Sequence, residues 1–284
     1  MSDTYRKASD FFGDKLYQSR ARQALPLLVR QAEARATIYY ADLAEELRMP
    51  NPRNLNYVLG CVGTGLEALA RDTGRSIPHI QALVVNQGSD TPGDGFDAFL
   101  REAGETWETE EDRWAILETY WDRIRNYPHW GWVLSELNIG RVVSNIDEKL
   151  EAVGNTQRGG EGPEHKALKE FVRTHPLMVG LPSECGEGNA EYLLPSGDRV
   201  DVVFVRNGSL DCFEVKPIGA SDLDVVRGLF QCVKYAAVAE AQETFRQNGI
   251  EVSAQLVLGG KLPTSLVPLR NSLGVKVWEE VGRS

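Results

Sequence analysis

Two apolar runs near the C-terminal end are broken by charge where a buried strand would normally continue with Val or Ile. The interruptions are Asp201 in RVDVVFV, and Glu214 and Lys216 in CFEVK. Burying such groups costs several kcal/mol unless an ion or a partner offsets it, so their placement asks for a chemical reason. Side chains alternate along a strand, so Glu214 and Lys216 project from one face while Val215 points away. Asp201 lies on the neighbouring run and faces them if the hairpin register allows. Two carboxylates around one point suit a hard divalent cation that keeps several waters and completes its shell with a phosphate. A water on such an ion, with a lysine beside it, is a nucleophile for phosphodiester hydrolysis.

Positioning those three groups requires a sheet. Apolar runs at Ala190–Leu194, Val200–Val205 and Leu210–Val215 read as strands, and the turn dipeptides Gly197-Asp198 and Asn207-Gly208 between them predict a meander. Ser221 followed by Asp224 is a cap signature that opens a long helix over Asp222–Phe245. Arg227, Gln231 and Tyr235 recur every four residues on it, as a polar stripe able to meet a phosphate backbone at the rim of the site. Beyond the helix, Val252–Leu258 and Val275–Trp278 extend the sheet to five strands, a mixed α/β core.

An acid on one strand, Glu-Val-Lys on the next, then Gln231-Cys232-Val233-Lys234-Tyr235 on a helix resembles the PD-(D/E)xK nuclease superfamily, especially its RecB-like and Holliday-resolvase-like branches. The resemblance covers roughly the last 120 residues, the size of one domain. Val200 stands where the family often has Pro. The resemblance implies a restriction-endonuclease-like mixed sheet flanked by helices. It implies Mg2+, with Mn2+ able to substitute, held by Asp201 and Glu214 and by a further Glu from the helix before the sheet. In EHKALKEFVRTHP that residue is Glu164, with Glu170 as rival. Lys216 then orients or activates the water, and Gln231 and Tyr235 support the substrate.

Upstream, Asp10–Ala34 reads as a helix with Arg20, Arg22 and Arg30 on its polar face. A short helix over Ala41–Leu47, a break at Pro50-Asn51-Pro52 and a longer helix over Arg53–Arg71 follow. A strand over Ile80–Asn86 then leads to QGSDTPGDG as the tip of a wing. That order is the order of a winged helix, whose second helix can enter the major groove. The residues Thr37 to Ala44, Asn51 to Leu59, Ile77-Pro78 and Val84-Val85 look like the winged-helix domain of the O6-alkylguanine alkyltransferases. Where that family has its reactive Cys after Pro, this chain has His79, so alkyl transfer is excluded and only DNA docking carries over. Arg53, Asn54 and Asn56 are the nearest base- or phosphate-contacting candidates. Winged helices also serve as protein contacts, which admits a homodimer.

Thr106–Leu137 is helical and Trp-rich and reads as a packing connector. GNTQRGGEG, Gly154–Gly162, reads as a flexible linker. The expected organisation is a winged-helix domain over 1–104, a connector over 105–153 and a nuclease-like domain over 154–284.

Composition sets bounds. The 284 residues suffice for two domains, and no run of eighteen apolar residues spans a membrane. The polar start MSDTYRKASDFFGDKL lacks an apolar signal region and points to the cytoplasm. Cys61, Cys185, Cys212 and Cys232 are too scattered for a disulfide framework or a zinc cluster. A net charge of −10 opposes easy binding to nucleic acid, yet residues 1–71 hold ten Lys and Arg against eight Asp and Glu. No motif calls for a nucleotide cofactor. The sequence therefore predicts a metal-dependent DNA endonuclease with a role in restriction, phage defence or DNA repair. The alternatives are a nuclease-fold module that binds DNA or protein without cleaving, and a structural adaptor whose winged helix dimerises.

Overall fold

The computed structural model describes residues 11–142, 146, 149–151, 162–246 and 249–282. The chain divides into two compact units, Met1–Val143 and Ser144–Ser284.

In the first unit α1 (Leu16–Glu33), α2 (Tyr40–Glu46) and α3 (Leu55–Thr73) surround a core of Leu25, Leu28, Leu43, Leu55 and Val62. α2 ends at Glu46, the chain turns through Arg48 with φ of 51°, and a single 3-10 turn over Pro52–Asn54 leads into α3, with the Asn51 side chain accepting the Arg53 N–H at 3.0 Å. The strand expected over Ile80–Asn86 is mostly a 3-10 turn. Only Val84–Val85 (β2) is extended, and it pairs in parallel with Ile38–Tyr39 (β1). The run 87–93 does not lead into the second strand of a wing. Asn86 N–H bonds Thr91 O at 2.9 Å and the Arg113 guanidinium donates to Pro92 O at 2.8 Å, so the run closes on itself before α4 (Asp94–Glu102).

The Trp-rich segment belongs to this unit. It forms α5 (Glu110–Arg125), opened by a Thr109/Asp112 capping box, and α6 (Trp130–Glu136). Leu117, Trp121, Ile124 and Trp130 are buried in the same core, and the Trp121 indole N–H donates to Ala82 O at 2.8 Å. Its stripe of apolar residues found a partner inside the first unit, which corrects the reading of a separate connector. The linker expected over 154–162 lies outside the described residues except Gly162, which starts the next helix.

In the second unit α7 (Pro163–Thr174) precedes β3 (Asn189–Leu193), β4 (Arg199–Arg206) and β5 (Ser209–Lys216). These form an antiparallel meander because Gly197 and Gly208 take φ of 83° and 85°, which glycine reaches without strain. The chain then crosses through α8 (Asp222–Arg246) to β6 (Glu251–Leu258) and through α9 (Val267–Leu273) to β7 (Val277–Trp278), both strands parallel to β5. The sheet order is β3-β4-β5-β6-β7. Leu168 and Val172 of α7 cover one face over Val202, Phe204, Phe213 and Val215. On the other face Val225, Leu229 and Cys232 of α8 pack with Leu256 and Leu258, while Tyr235 and Ala239 pack with Val203 and Cys212. The unit is thus a mixed sheet flanked by helices.

The four cysteines are free, three of them buried. Among the described residues no helix is long and apolar enough to cross a membrane.

Candidate active site

The site forms where β4 and β5 separate. Their ladder ends at the pair Val202↔Phe213, so one step further the register sets Asp201 opposite Glu214. At this point side chains take over from backbone. Asp201 Oδ2 accepts the Val215 N–H at 2.8 Å, and His165 Nε2 lies 2.9 Å from Val215 O and 3.2 Å from the same Asp201 oxygen. A carbonyl can only accept, so Nε2 carries the proton and the N–H is shared between the two oxygens. Both ends of the Val215 peptide are served by side chains, and Asp201 Oδ1 takes no hydrogen bond among the described residues.

Glu214 is 4% exposed and sits in a closed polar ring. Lys216 Nζ donates to Oε1 at 2.6 Å and to Gln231 Oε1 at 3.3 Å. Gln231 Nε2 donates to the Tyr235 hydroxyl at 3.0 Å, which lies 3.1 Å from Glu214 Oε2 and 3.1 Å from Arg199 O. Burial and the nearby Asp201 charge push the Glu214 carboxyl up to about 6 against the pull of Lys216. Burial, then the Glu214 charge, pushes the Tyr235 phenol well above its ordinary value, so it stays a donor.

The ring depends on the fit of α8. Ser221 and Asp224 cap it reciprocally, the Asp224 N–H bonding the Ser221 hydroxyl at 3.2 Å. Gly228 lets the lysine stem pass, since a Cβ there would stand 3.0 Å from Lys216 Cε and 2.8 Å from Leu256 Cδ1. Arg227 lies one turn before Gln231. One of its guanidinium nitrogens bonds Asp224 Oδ1 at 2.7 Å, and the other, Nη2, is buried without a partner among the described residues.

Glu164 is exposed in the first turn of α7, with Oε2 3.8 Å from where a Cβ on Gly219 would be, in the loop after β5. Its rival Glu170 is bonded to Arg173 at 2.7 and 2.8 Å. Among the described residues no group of three His, Cys, Asp or Glu side chains is close enough to hold a metal ion. Asp201 and Glu214 still suit Mg2+, which binds through one or two carboxylates with waters and a phosphate, and a cation would relieve the repulsion that raises Glu214.

The sequence reading missed His165 and Gly228. His165 shares the helical spacing of Leu168, Lys169 and Val172, so it had to face the sheet, a signal that was there to use. In the first unit Arg53, Asn54 and Asn56 are exposed at the head of α3. His79 instead packs against Phe99 with ring centroids 4.1 Å apart and the rings tilted by 50°, beside a cavity of about 670 Å³. Its Nδ1 is buried without a partner among the described residues, and burial lowers its pKa.

Compared with protein-family models, with curated proteins and with solved structures, the chain matches none of them.

Proposed function

We propose that the chain is a metal-dependent deoxyribonuclease of the PD-(D/E)xK type, acting on DNA in restriction, phage defence or repair. What supports this reading most is the ring around Glu214. Three polar side chains from β5 and α8, Lys216, Gln231 and Tyr235, close on a buried carboxylate that the register sets opposite Asp201 on β4, an arrangement a merely structural sheet has no use for.

In this reading Asp201 and Glu214 would hold Mg2+ or Mn2+ with waters and a phosphate completing the shell, while among the described residues Glu164 is not grouped with them. The bound ion supplies a water of lowered pKa and polarises the phosphate. The chain's own groups do the rest. His165 and the Val215 N–H fix Asp201 Oδ2 and leave Oδ1 available to bind. Lys216, which donates one ammonium proton to Glu214 at 2.6 Å and one to Gln231 at 3.3 Å, offers its third to the attacking water or to the phosphate. Gln231 and Tyr235 keep Lys216 and Glu214 in register from α8. Arg227, one turn before Gln231 and bonded to Asp224, is the candidate on α8 for the backbone of the substrate. In the first unit Arg53, Asn54 and Asn56 contribute DNA contacts from the head of α3.

The test is cleavage of plasmid and linear DNA in Mg2+ or Mn2+ by the native protein beside Lys216→Ala. Cleavage that Lys216→Ala loses supports the reading, and equal cleavage by both removes Lys216 from the mechanism. One observation favours a second reading, a nuclease-fold module that binds DNA or protein without cutting. Both Glu214 oxygens already have donors, so the ring is satisfied with no ion. That reading predicts retention of DNA without turnover and no heat of Mn2+ binding.

A further inference from the structure

Glu191 has φ of 53°, in the left-handed region that disfavours any residue with a Cβ, although it lies inside a strand. The pairs Ala190↔Val202 and Tyr192↔Val200 flank it, so it stands directly opposite Asp201. The β3–β4 ladder is interrupted on one side of Asp201 just as the β4–β5 ladder ends on the other. A cause is visible on α7. Lys169, whose side chain is 11% exposed, bonds the Glu191 carboxylate with its ammonium. It lies one turn after His165, which holds Asp201. Two polar side chains four residues apart on one helix thus reach two adjacent strands at one register position. The pair ties Glu191, whose side chain is 45% exposed, to α7. A break that only shielded the edge of the sheet would serve anywhere along β3.

We infer that the Lys169–Glu191 ion pair is a positioning device for Asp201. It keeps β3 from pairing regularly at residue 191 and frees β4 to turn there. The Asp201 carboxylate then reaches across to the Val215 N–H. The inference deepens the nuclease reading and rests on it for its purpose, but the geometry can be tested separately.

Lys169→Met keeps the buried volume and removes the charge, and Glu191→Gln keeps an oxygen for Lys169 to donate to. The first measurement is hydrogen exchange of the Val215 amide in metal-free protein, with Asp201→Ala as the reference for a lost acceptor. Lys169→Met should speed this exchange about ten-fold relative to Phe213, approaching Asp201→Ala, with Glu191→Gln between it and the native protein. The second is Mn2+ affinity by calorimetry, which should fall about ten-fold or more, the usual effect of losing a group that orients a metal ligand. Val215 exchange that is unchanged, or that rises only together with Phe213 as general loosening, overturns the inference. Native protein that neither binds Mn2+ nor cleaves DNA would instead remove the nuclease reading, and Val215 exchange would still decide the positioning role.

Discussion

Glu214 gives the most quantitative prediction. Its carboxyl titrates at about 6 in the folded chain against 4.5 ordinarily, because burial and Asp201 disfavour the charge more than Lys216 and Tyr235 favour it. Below pH 4.5 the group is protonated in both states and contributes nothing to pH dependence. Between these values the unfolded chain releases its proton while the folded chain keeps it, so stability falls as pH rises. Above about 6 the loss is complete, and at 1.36 kcal/mol per pKa unit it amounts to about 2 kcal/mol. Glu214→Gln keeps the shape and cannot ionise. Its stability relative to the native protein should therefore increase by about 2 kcal/mol between pH 4.5 and pH 7 in metal-free buffer. With a urea dependence of about 2 kcal/mol per molar, the gap between the two unfolding midpoints widens by about 1 M. A gap that stays constant across this range would show that Lys216 and Tyr235 fully compensate the buried charge, and the like-charge argument for a cation would fail.

Tyr235→Phe removes a donor to a carboxylate that is 4% exposed, and should cost about 1–3 kcal/mol in urea unfolding; no loss would mean the hydroxyl is not part of the ring. Gly228→Ala separates two effects of opposite sign. Helix propensity alone predicts a gain of about 1 kcal/mol, whereas the approach to Lys216 Cε at 3.0 Å and Leu256 Cδ1 at 2.8 Å predicts a loss of about 1–3 kcal/mol and lower cleavage. A stabilised protein would sink the close-packing account. In the first unit, burial lowers the His79 pKa, so folding resists its protonation and stability is lost as pH falls below 6.5. His79→Leu should remove that part of the acid sensitivity, read as the difference in thermal midpoints at pH 7.5 and 5.5; an unchanged difference refutes it.

How far the sequence carries depends on whether a feature is local. The meander strands, expected at 190–194, 200–205 and 210–215, are found at 189–193, 199–206 and 209–216. The helix expected over 222–245 runs to Arg246. Glycines at 197 and 208 and the Ser221/Asp224 cap act on the backbone within a few residues, so their effect can be read directly. The ring also follows from local rules, namely a spacing of two on β5 and of four on α8. His165 is different, because its partners are 36 and 50 residues away and only the packing of α7 on the sheet brings them to it. Glu191 is another such case, since nothing in AEYLL announces a left-handed residue; the ion pair with Lys169 holds it there. The wing failed for a related reason. QGSDTPGDG has the composition of a hairpin tip, but bonds from Asn86 and from distant Arg113 close it into a turn.

Whether Asp201 and Glu214 bind a common ion is most directly decided by anomalous diffraction from a crystal soaked in Mn2+. The account predicts one strong peak at the divergence of β4 and β5, within about 2.0–2.3 Å of an oxygen from each carboxylate. A soaked crystal with no peak there, or with a peak bound to only one of the two acids, would contradict it.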